Sequence, residues 1–407
     1  MKRTIKLAVV AALALGATSA FATNGSNLIG MGVKTRSMGG AGIGVSHGAE
    51  SGLTNPALIT GIKSDNEISF GGTLFMPDVK NDNGLMGMGA GGSDDSGSGD
   101  SDADMSIIPE ISIVSKVNDN FYFGIGMWGT AGMGVDYEGS GQMEMSTNLQ
   151  LMQFGVPLAY TSNGFSIGVT PIVQYGSLDI DYQAPVNAGG AAYGEGVAQD
   201  LKLGYNIGIA YEISNFTVGA VYKSQIDMEY DDQLSGAMQT FGIIDYDNDE
   251  LSTPEEIGMG ISYNMREHTF AVDYKRINWS DAEGYKDFEW EDQDVYIFGY
   301  EYDTGVWAVR LGYNYAESPI EEQSGFAGST TAPGSNLINT FNLLGFPGIV
   351  ESHYTIGGSY AFSEKISMDL GFVYAPEVEE TFTNFANQDI TTKHSQRSVS
   401  LGINYNF

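Results

Sequence analysis

The chain has no cysteine, few cations and no long apolar run beyond its first residues, and each shortage removes a class of protein. Without cysteine there is no disulfide scaffold, no thiolate nucleophile and no Cys-ligated metal. Among 407 residues, 18 Lys and Arg stand against 51 Asp and Glu, a formal charge of −33. Phosphate recognition needs clustered Lys and Arg, so no nucleic-acid partner is expected. No later segment reaches the length of apolar sequence that a transmembrane helix requires, so a membrane role would have to rest on strands. The four histidines, His47, His268, His353 and His394, stand in no recognisable Ser-His-acid motif. Proline is sparse at 11, whereas Gly numbers 55, Tyr 23 and Phe 20. That Gly load exceeds the roughly 7% of an average globular chain.

Residues 1–22 read MKRTIKLAVVAALALGATSAFA. A basic start (Lys2, Arg3, Lys6) precedes an apolar core from Leu7 to Ala17, and Ala20-Phe21-Ala22 gives a small-x-small site. A signal peptide cut after Ala22 is predicted, which takes the charge to −36. The alternative is an uncleaved helix, but the run falls short of the ~20 residues that span a bilayer.

Downstream of residue 65 apolar residues alternate. Leu201, Leu203, Tyr205, Ile207, Ile209 and Tyr211 share one face, with Lys202, Gly204, Asn206, Gly208 and Ala210 on the other. Val399, Leu401, Ile403, Tyr405 and Phe407 repeat the pattern at the C-terminus. Period two marks strands. Fourteen are predicted, near 66–76, 107–117, 120–130, 146–161, 164–180, 200–213, 215–230, 255–265, 267–279, 292–303, 305–316, 351–362, 365–376 and 393–407. Gaps of one or two residues alternate with gaps of twelve to thirty-four. An even strand count with short turns at one end and long loops at the other describes an outer-membrane barrel. The competing reading is a secreted soluble β protein, which has no reason to sort its loops by length. The expected fold is therefore all-β, a transmembrane antiparallel barrel of fourteen strands over residues 66–407. The chain ends on aromatic Phe407, which resembles the terminal signature read by the barrel assembly machinery.

Residues 23–65 break the rhythm. They are Gly-rich, yet carry Leu28, Ile29, Met31, Val33, Met38, Ile43, Val45, Leu53, Leu58, Ile59 and Ile62. The segment is too short to bury its own core, while a fourteen-stranded barrel is too wide for its wall side chains to fill. A plug inside the lumen answers both, and a periplasmic linker is the alternative. Asn55-Pro56-Ala57 reads as a rigid corner after the flexible run, because proline restricts itself and the residue before it.

Asn24-Gly25, Ser37-Met38-Gly39-Gly40-Ala41-Gly42 and Asn55-Pro56-Ala57 together resemble the start of the FadL/TodX family of outer-membrane transporters. Thr253-Pro254-Glu255, Asn278-Trp279-Ser280 and Arg310-Leu311-Gly312-Tyr313 through Ser318-Pro319 follow in the family's order. The resemblance covers nearly the whole chain after residue 22, and the plug motif is its most specific part. The acidic run Ser93–Asp104 departs from the family. The resemblance implies a fourteen-stranded barrel with an N-terminal hatch and uptake of long-chain fatty acids or small hydrophobic compounds. It also implies a role for Asn55, Pro56 and Ala57 in gating, and a kink in the third strand through which substrate leaves sideways. Gly129 and Gly132 lie in that strand.

Greasy cargo needs an apolar landing site, and two long loops are oddly apolar. One contains Phe241 and Ile243, the other Leu343 and Phe346. The alternative is that these loops pack on each other. By parity Lys202, Lys223, Lys275 and Arg310 point inward, where they would meet a cargo carboxylate or a lumenal acid such as Asp273. Arg310 also falls where the family carries an arginine. The rival functions are a general diffusion porin and an outer-membrane lipid hydrolase. Asp245, Asp247, Asp249 and Glu256 sit at the first, third, fifth and twelfth positions of a calcium loop, but Glu250 occupies the place of its glycine. A solvated acidic loop is expected there, with no metal or cofactor assigned. The expected partners are hydrophobic small molecules or fatty acids, outer-membrane lipid and lipopolysaccharide, around a monomer in the bacterial outer membrane.

Overall fold

Leu201, Leu203, Tyr205, Ile207, Ile209 and Tyr211 all stand exposed on one side of their strand, while Asn206 and Ala210 are buried on the other. The same alternation runs round the molecule, so its outer wall carries an apolar belt, while its inner wall mixes polar and small residues with buried apolar ones such as Leu151 and Ile172. The computed structural model describes residues 23–84, 98–184, 190–241, 243, 245–324 and 334–407. The predicted cleavage site and the start of the acidic run at 93–97 lie outside these.

Fourteen strands close one antiparallel ring. They are β1 (Asn66–Asn83), β2 (Ser106–Lys116), β3 (Phe121–Asp136), β4 (Ser146–Gly155, resuming at Leu158–Ser162), β5 (Phe165–Gln183) and β6 (Ala198–Ile213). β7 (Phe216–Lys223), β8 (Glu256–Met265), β9 (His268–Ile277), β10 (Gln293–Asp303) and β11 (Trp307–Tyr315) follow. β12 (Ser352–Ala361), β13 (Ile366–Thr383) and β14 (Asp389–Asn406) complete the ring, and β14 closes it on β1 with Tyr405 opposite Ile68. Tight turns at one end use left-handed residues, Asn163 at φ 51°, Ser214 at 56° and Arg266 at 58°. This is the periplasmic end by the rule of short turns.

The strand count agrees with the sequence reading, but several ends do not. β1, β3 and β13 run on to Asn83, Asp136 and Thr383, and β14 starts at Asp389. Pairing continues there above the apolar belt, where water-facing polar residues no longer alternate. β7 stops at Lys223 instead of near 230. Ile226, Met228 and Tyr230 keep the alternation and are buried, but they face inward in a loop that folds back on itself through bridges from Ile226 to Thr253 and from Glu229 to Glu250, and meets β6 where Glu229 N–H donates to Asp200. Pro157, which has no N–H, interrupts β4.

Residues 23–59 lie inside the ring and are mostly buried. Two short extended pieces, Thr23–Asn24 and Asn27–Leu28, pair around Gly25. Helices α1 (Val33–Ser37) and α2 (Ser51–Thr54) follow, then a 3-10 turn at Pro56–Gly61. At the long-loop end, α3 (Gln233–Thr240) and α4 (Ser335–Gly345) fold over the opening.

Candidate functional site

The N-terminal segment is moored by carboxylates and seated on glycine. Both oxygens of Asp273 on β9 are turned to the backbone N–H groups of Gly42, Ile43 and Gly44, at 2.7, 2.7 and 3.4 Å. Arg36 donates to Glu110 of β2 at 2.7 Å, and Ala49 N–H to Glu67 of β1 at 2.8 Å. α1 lies against Gly357, Gly371 and Gly402, where an added Cβ would strike Ser37 or Val33. The first turn of the segment lies on three mutually packed rings, Trp279, Tyr285 and Trp290, with centroids 4.6–5.1 Å apart. A Cβ on Gly25 would come within 2.7 Å of Trp279.

Asn55, Pro56 and Ala57 form the corner that proline chemistry dictates. Asn55 is extended (φ −143°, ψ 102°) and Pro56 opens the 3-10 turn. The Asn55 carboxamide accepts from Ala57 N–H at 3.1 Å and donates to Ile43 O at 2.8 Å and to Ile209 O of β6 at 3.3 Å. Gly168 and Gly208 make room for it on the wall. The corner therefore ties two parts of the segment to β6.

The four inward cations of the sequence reading stand at three places. Lys223 and Lys275 converge on Glu256 at 3.1 and 3.5 Å, and Asn27 donates to the carboxylate's other oxygen at 3.3 Å. Small hollows beside this cluster are lined by Leu28, Met31, Leu53 and Ile226. Asp273, expected as the partner of Lys275, is instead committed to the segment's backbone. Arg310 stands apart, near the periplasmic end. It donates to Glu301 at 2.6 Å and to Ser359 at 2.6 Å, with Asp369 at 3.9 Å. It borders a cavity of about 250 Å³ that Lys34, His47 and Glu67 also line. Burial holds His47 down at about 4, so it is neutral at pH 7. Lys202 pairs with Asp200 and Glu229.

The two apolar loops do not lie open to the outside. Leu343 and Phe346 are buried in and after α4, and Phe346 packs on Phe341 at 5.2 Å. Phe241, half-buried after α3, meets Phe385 edge-on at 5.0 Å and Tyr182 at 5.9 Å, and Ile243 packs on the same core. Ala237, Met238 and Phe241 share a small hollow with Leu337 and Phe341. The loops pack on each other, because helical spacing in α3 and α4 gathers their apolar residues on an inner face. In the acidic loop, Asp249 accepts from the N–H groups of Asp232, Leu234 and Ser235 at 2.9–3.1 Å, which fastens the first turn of α3. Among the described residues no group of three or more His, Asp or Glu is placed to hold a metal.

β3 departs from the wall. It pairs with β2 only as far as Trp128 opposite Glu110, although β2 continues along β1 to Ser106. Thr130 is the extra residue of a bulge against β4. From Trp128 to Val135 β3 is buried on both faces. Asn27 pairs with Ala131, and Gly132 N–H donates to Ser26 O at 3.1 Å. Pro109 contributes no N–H on the β2 side. Gly129 and Gly132 thus sit where the wall bends inward onto the N-terminal segment. Sequence reasoning missed Glu110, placed Glu256 only in an acidic loop and Trp279 only in a family motif, and so missed the carboxylate that gathers Lys223 and Lys275 and the Trp279–Tyr285–Trp290 cluster; inward parity marks the two glutamates, but only as candidates among many acids.

Such a barrel, filled from its own N-terminus and bent at one strand, is an outer-membrane channel for hydrophobic compounds. The chain belongs to the outer membrane protein transport family OMPP1/FadL/TodX, whose model matches residues 7–327. This is a family of transport channels rather than of enzymes. The 47 kDa outer membrane protein of Pasteurella multocida is 25% identical, over 90% of this chain and 92% of that one. Outer membrane protein P1 of Haemophilus influenzae is 22% identical over 90% and 89%. A Pseudomonas aeruginosa FadL homologue shares the fold at TM-score 0.71, with 16% identity over 94% of this chain and all of that one. The Pseudomonas putida toluene transporter TodX does so at 0.67, with 18% identity over 93% and 99%.

Proposed function

We propose that this protein carries hydrophobic molecules, either long-chain fatty acids or small hydrocarbons and aromatics, passively across the outer membrane and releases them sideways at β3. The observation that carries the reading is the loss of β2–β3 pairing beyond Glu110–Trp128, where β3 turns inward. A free strand edge in hydrocarbon is costly unless something covers it, and here the N-terminal segment does so through Asn27 and Ser26. Residues 23–65 act as the hatch, with Asn55-Pro56-Ala57 as its rigid corner and Gly129 and Gly132 at the exit.

Cargo enters between α3 and α4, where Phe241, Ile243, Leu343 and Phe346 separate to admit it. Lys223 and Lys275 meet the carboxylate of an acidic cargo, with Glu256 as their resting partner. For Arg310 the geometry favours anchoring, since Glu301 and Ser359 already occupy it. The same reading includes removal of residues 1–22, recognition of Phe407 by the assembly machinery, and action as a monomer among outer-membrane lipids and lipopolysaccharide. Conductance in planar bilayers tests it against a diffusion porin. The expected record is a closed barrel without steady ion current, from a protein that supports uptake of a labelled hydrophobe. A large steady aqueous current would overturn it.

A further inference from the structure

The outer wall between β11 and β14 carries three rows of lipid-facing residues. Leu311, Ile356, Phe372 and Val399 form the upper row, and Trp307, Tyr360, Met368 and Ile403 the lower. The middle row reads Val309, Gly358, Leu370, Leu401. Gly358 has no side chain to fill its place, and a concavity of about 510 Å³ opens there, lined by Ile356, Tyr360, Met368, Leu370 and Phe372. The inner side of the wall cannot fill it, because Gly357 and Gly371 lie directly behind, under Ser37 of the N-terminal segment. The wall at this point is one backbone thick.

Two further observations say what covers it. Trp307, Tyr360 and Phe362 are exposed at the periplasmic ends of these strands, the position of an interfacial aromatic band. Gly358 stands two residues inside that band, about 5 Å deeper for a tilted strand, so the groove faces the acyl chains of the periplasmic leaflet. The turn joining β12 to β13, between Tyr360 and Met368 of the groove lining, carries an exposed lysine, Lys365. Its neighbour Glu364 borders the inner cavity of the barrel mouth. An apolar slot topped by a cation at headgroup level matches a phospholipid.

We propose that the Gly358 groove is a phospholipid site, in which one acyl chain lies across Gly358 and the phosphate meets the Lys365 ammonium. Gly358 on β12 is five strand steps from β3, through β13, β14, β1 and β2, and the site does not depend on the transport reading. The test is native mass spectrometry of delipidated protein with limiting dioleoylphosphatidylglycerol. Wild type should retain one lipid. Leu370→Trp, which narrows the slot, and Lys365→Glu should each lower the retained fraction at least fivefold. Gly358→Leu is a poorer probe, since a Cβ there comes within 2.8 Å of Ala308 O. Leu203→Trp on β6, at an equally lipid-facing position, should change nothing, and dioleoylglycerol should bind far less than the phospholipid. Equal losses for all three variants, or several lipids bound with no preference for one, would mean ordinary annular lipid and overturn the proposal. So would equal retention of dioleoylglycerol, or a dimer abolished by Leu370→Trp, which would make a second copy the occupant.

Discussion

Glu50 is buried inside the barrel, where it accepts from Lys34 N–H at 3.0 Å and from Ser69 at 3.3 Å. Burial pushes its carboxyl up to about 7; Lys34 opposes that shift, while Asp369 and Glu110 add to it. A free Glu titrates near ~4.3, so the seated segment holds this proton more tightly than the unfolded chain. Its contribution is fully present below about pH 4 and is lost as pH rises through 7. Hydrogen exchange at Lys34 N–H, corrected for the intrinsic rate, should therefore show protection falling between pH 5 and 8. Glu50→Gln should abolish that trend, because the amide keeps an acceptor but does not ionise; parallel profiles would assign the effect elsewhere. At Arg310 the expectation concerns pairing. Arg310→Ala leaves Glu301 without its cation, although Lys34 stays 3.9 Å from Asp369, a loss of about 3 kcal/mol when a buried pair is broken. Binding of a fatty acid and of its methyl ester should then weaken equally. A loss confined to the acid would make Arg310 a substrate contact.

At the scale of elements the corner at Asn55-Pro56-Ala57 gives the sharpest expectation. Asn55→Ala removes one cap bond and two bonds that tie Ile43 and β6 together, and a lost cap costs about 1 kcal/mol. Barrel melting should not change, because the wall is held by its own pairing. Uptake of a labelled hydrophobe should fall, without new sensitivity to a bulky antibiotic. Unchanged uptake in Asn55→Ala and Pro56→Gly would remove the corner from the mechanism. This corner was legible in the sequence because proline and asparagine act locally. The strands were legible for the same reason, since alternation is a local pattern. What was hidden depends on distance along the chain. Asp273 receives three N–H groups from residues about 230 positions away, and nothing near it in sequence distinguishes it from an acid that pairs with Lys275. The two loops read as exposed because their apolar residues were seen without the partner loop that buries them. β3 was marked by its glycines, but the bulge at Thr130 and the lost pairing belong to its neighbours.

For the molecule as a whole, the central claim is that cargo leaves through the wall between β2 and β3. The absence of cysteine allows that seam to be closed at will. A Cβ placed on Gly129 lies 3.8 Å from the Cβ of Ile108, the separation found across a disulfide. Its close contact at 2.7 Å is with the Ile108 Cγ2 atom, which cysteine lacks. The double variant Ile108→Cys/Gly129→Cys should fold, reach the membrane and form the bridge when oxidised. The deciding measurement is uptake of a labelled hydrophobe by cells carrying this pair, before and after a reductant that reaches the outer membrane. The account predicts uptake at least tenfold below that of either single variant while the bridge is intact, and recovery on reduction. Undiminished uptake through a fully bridged seam would contradict it and move the exit to another part of the barrel.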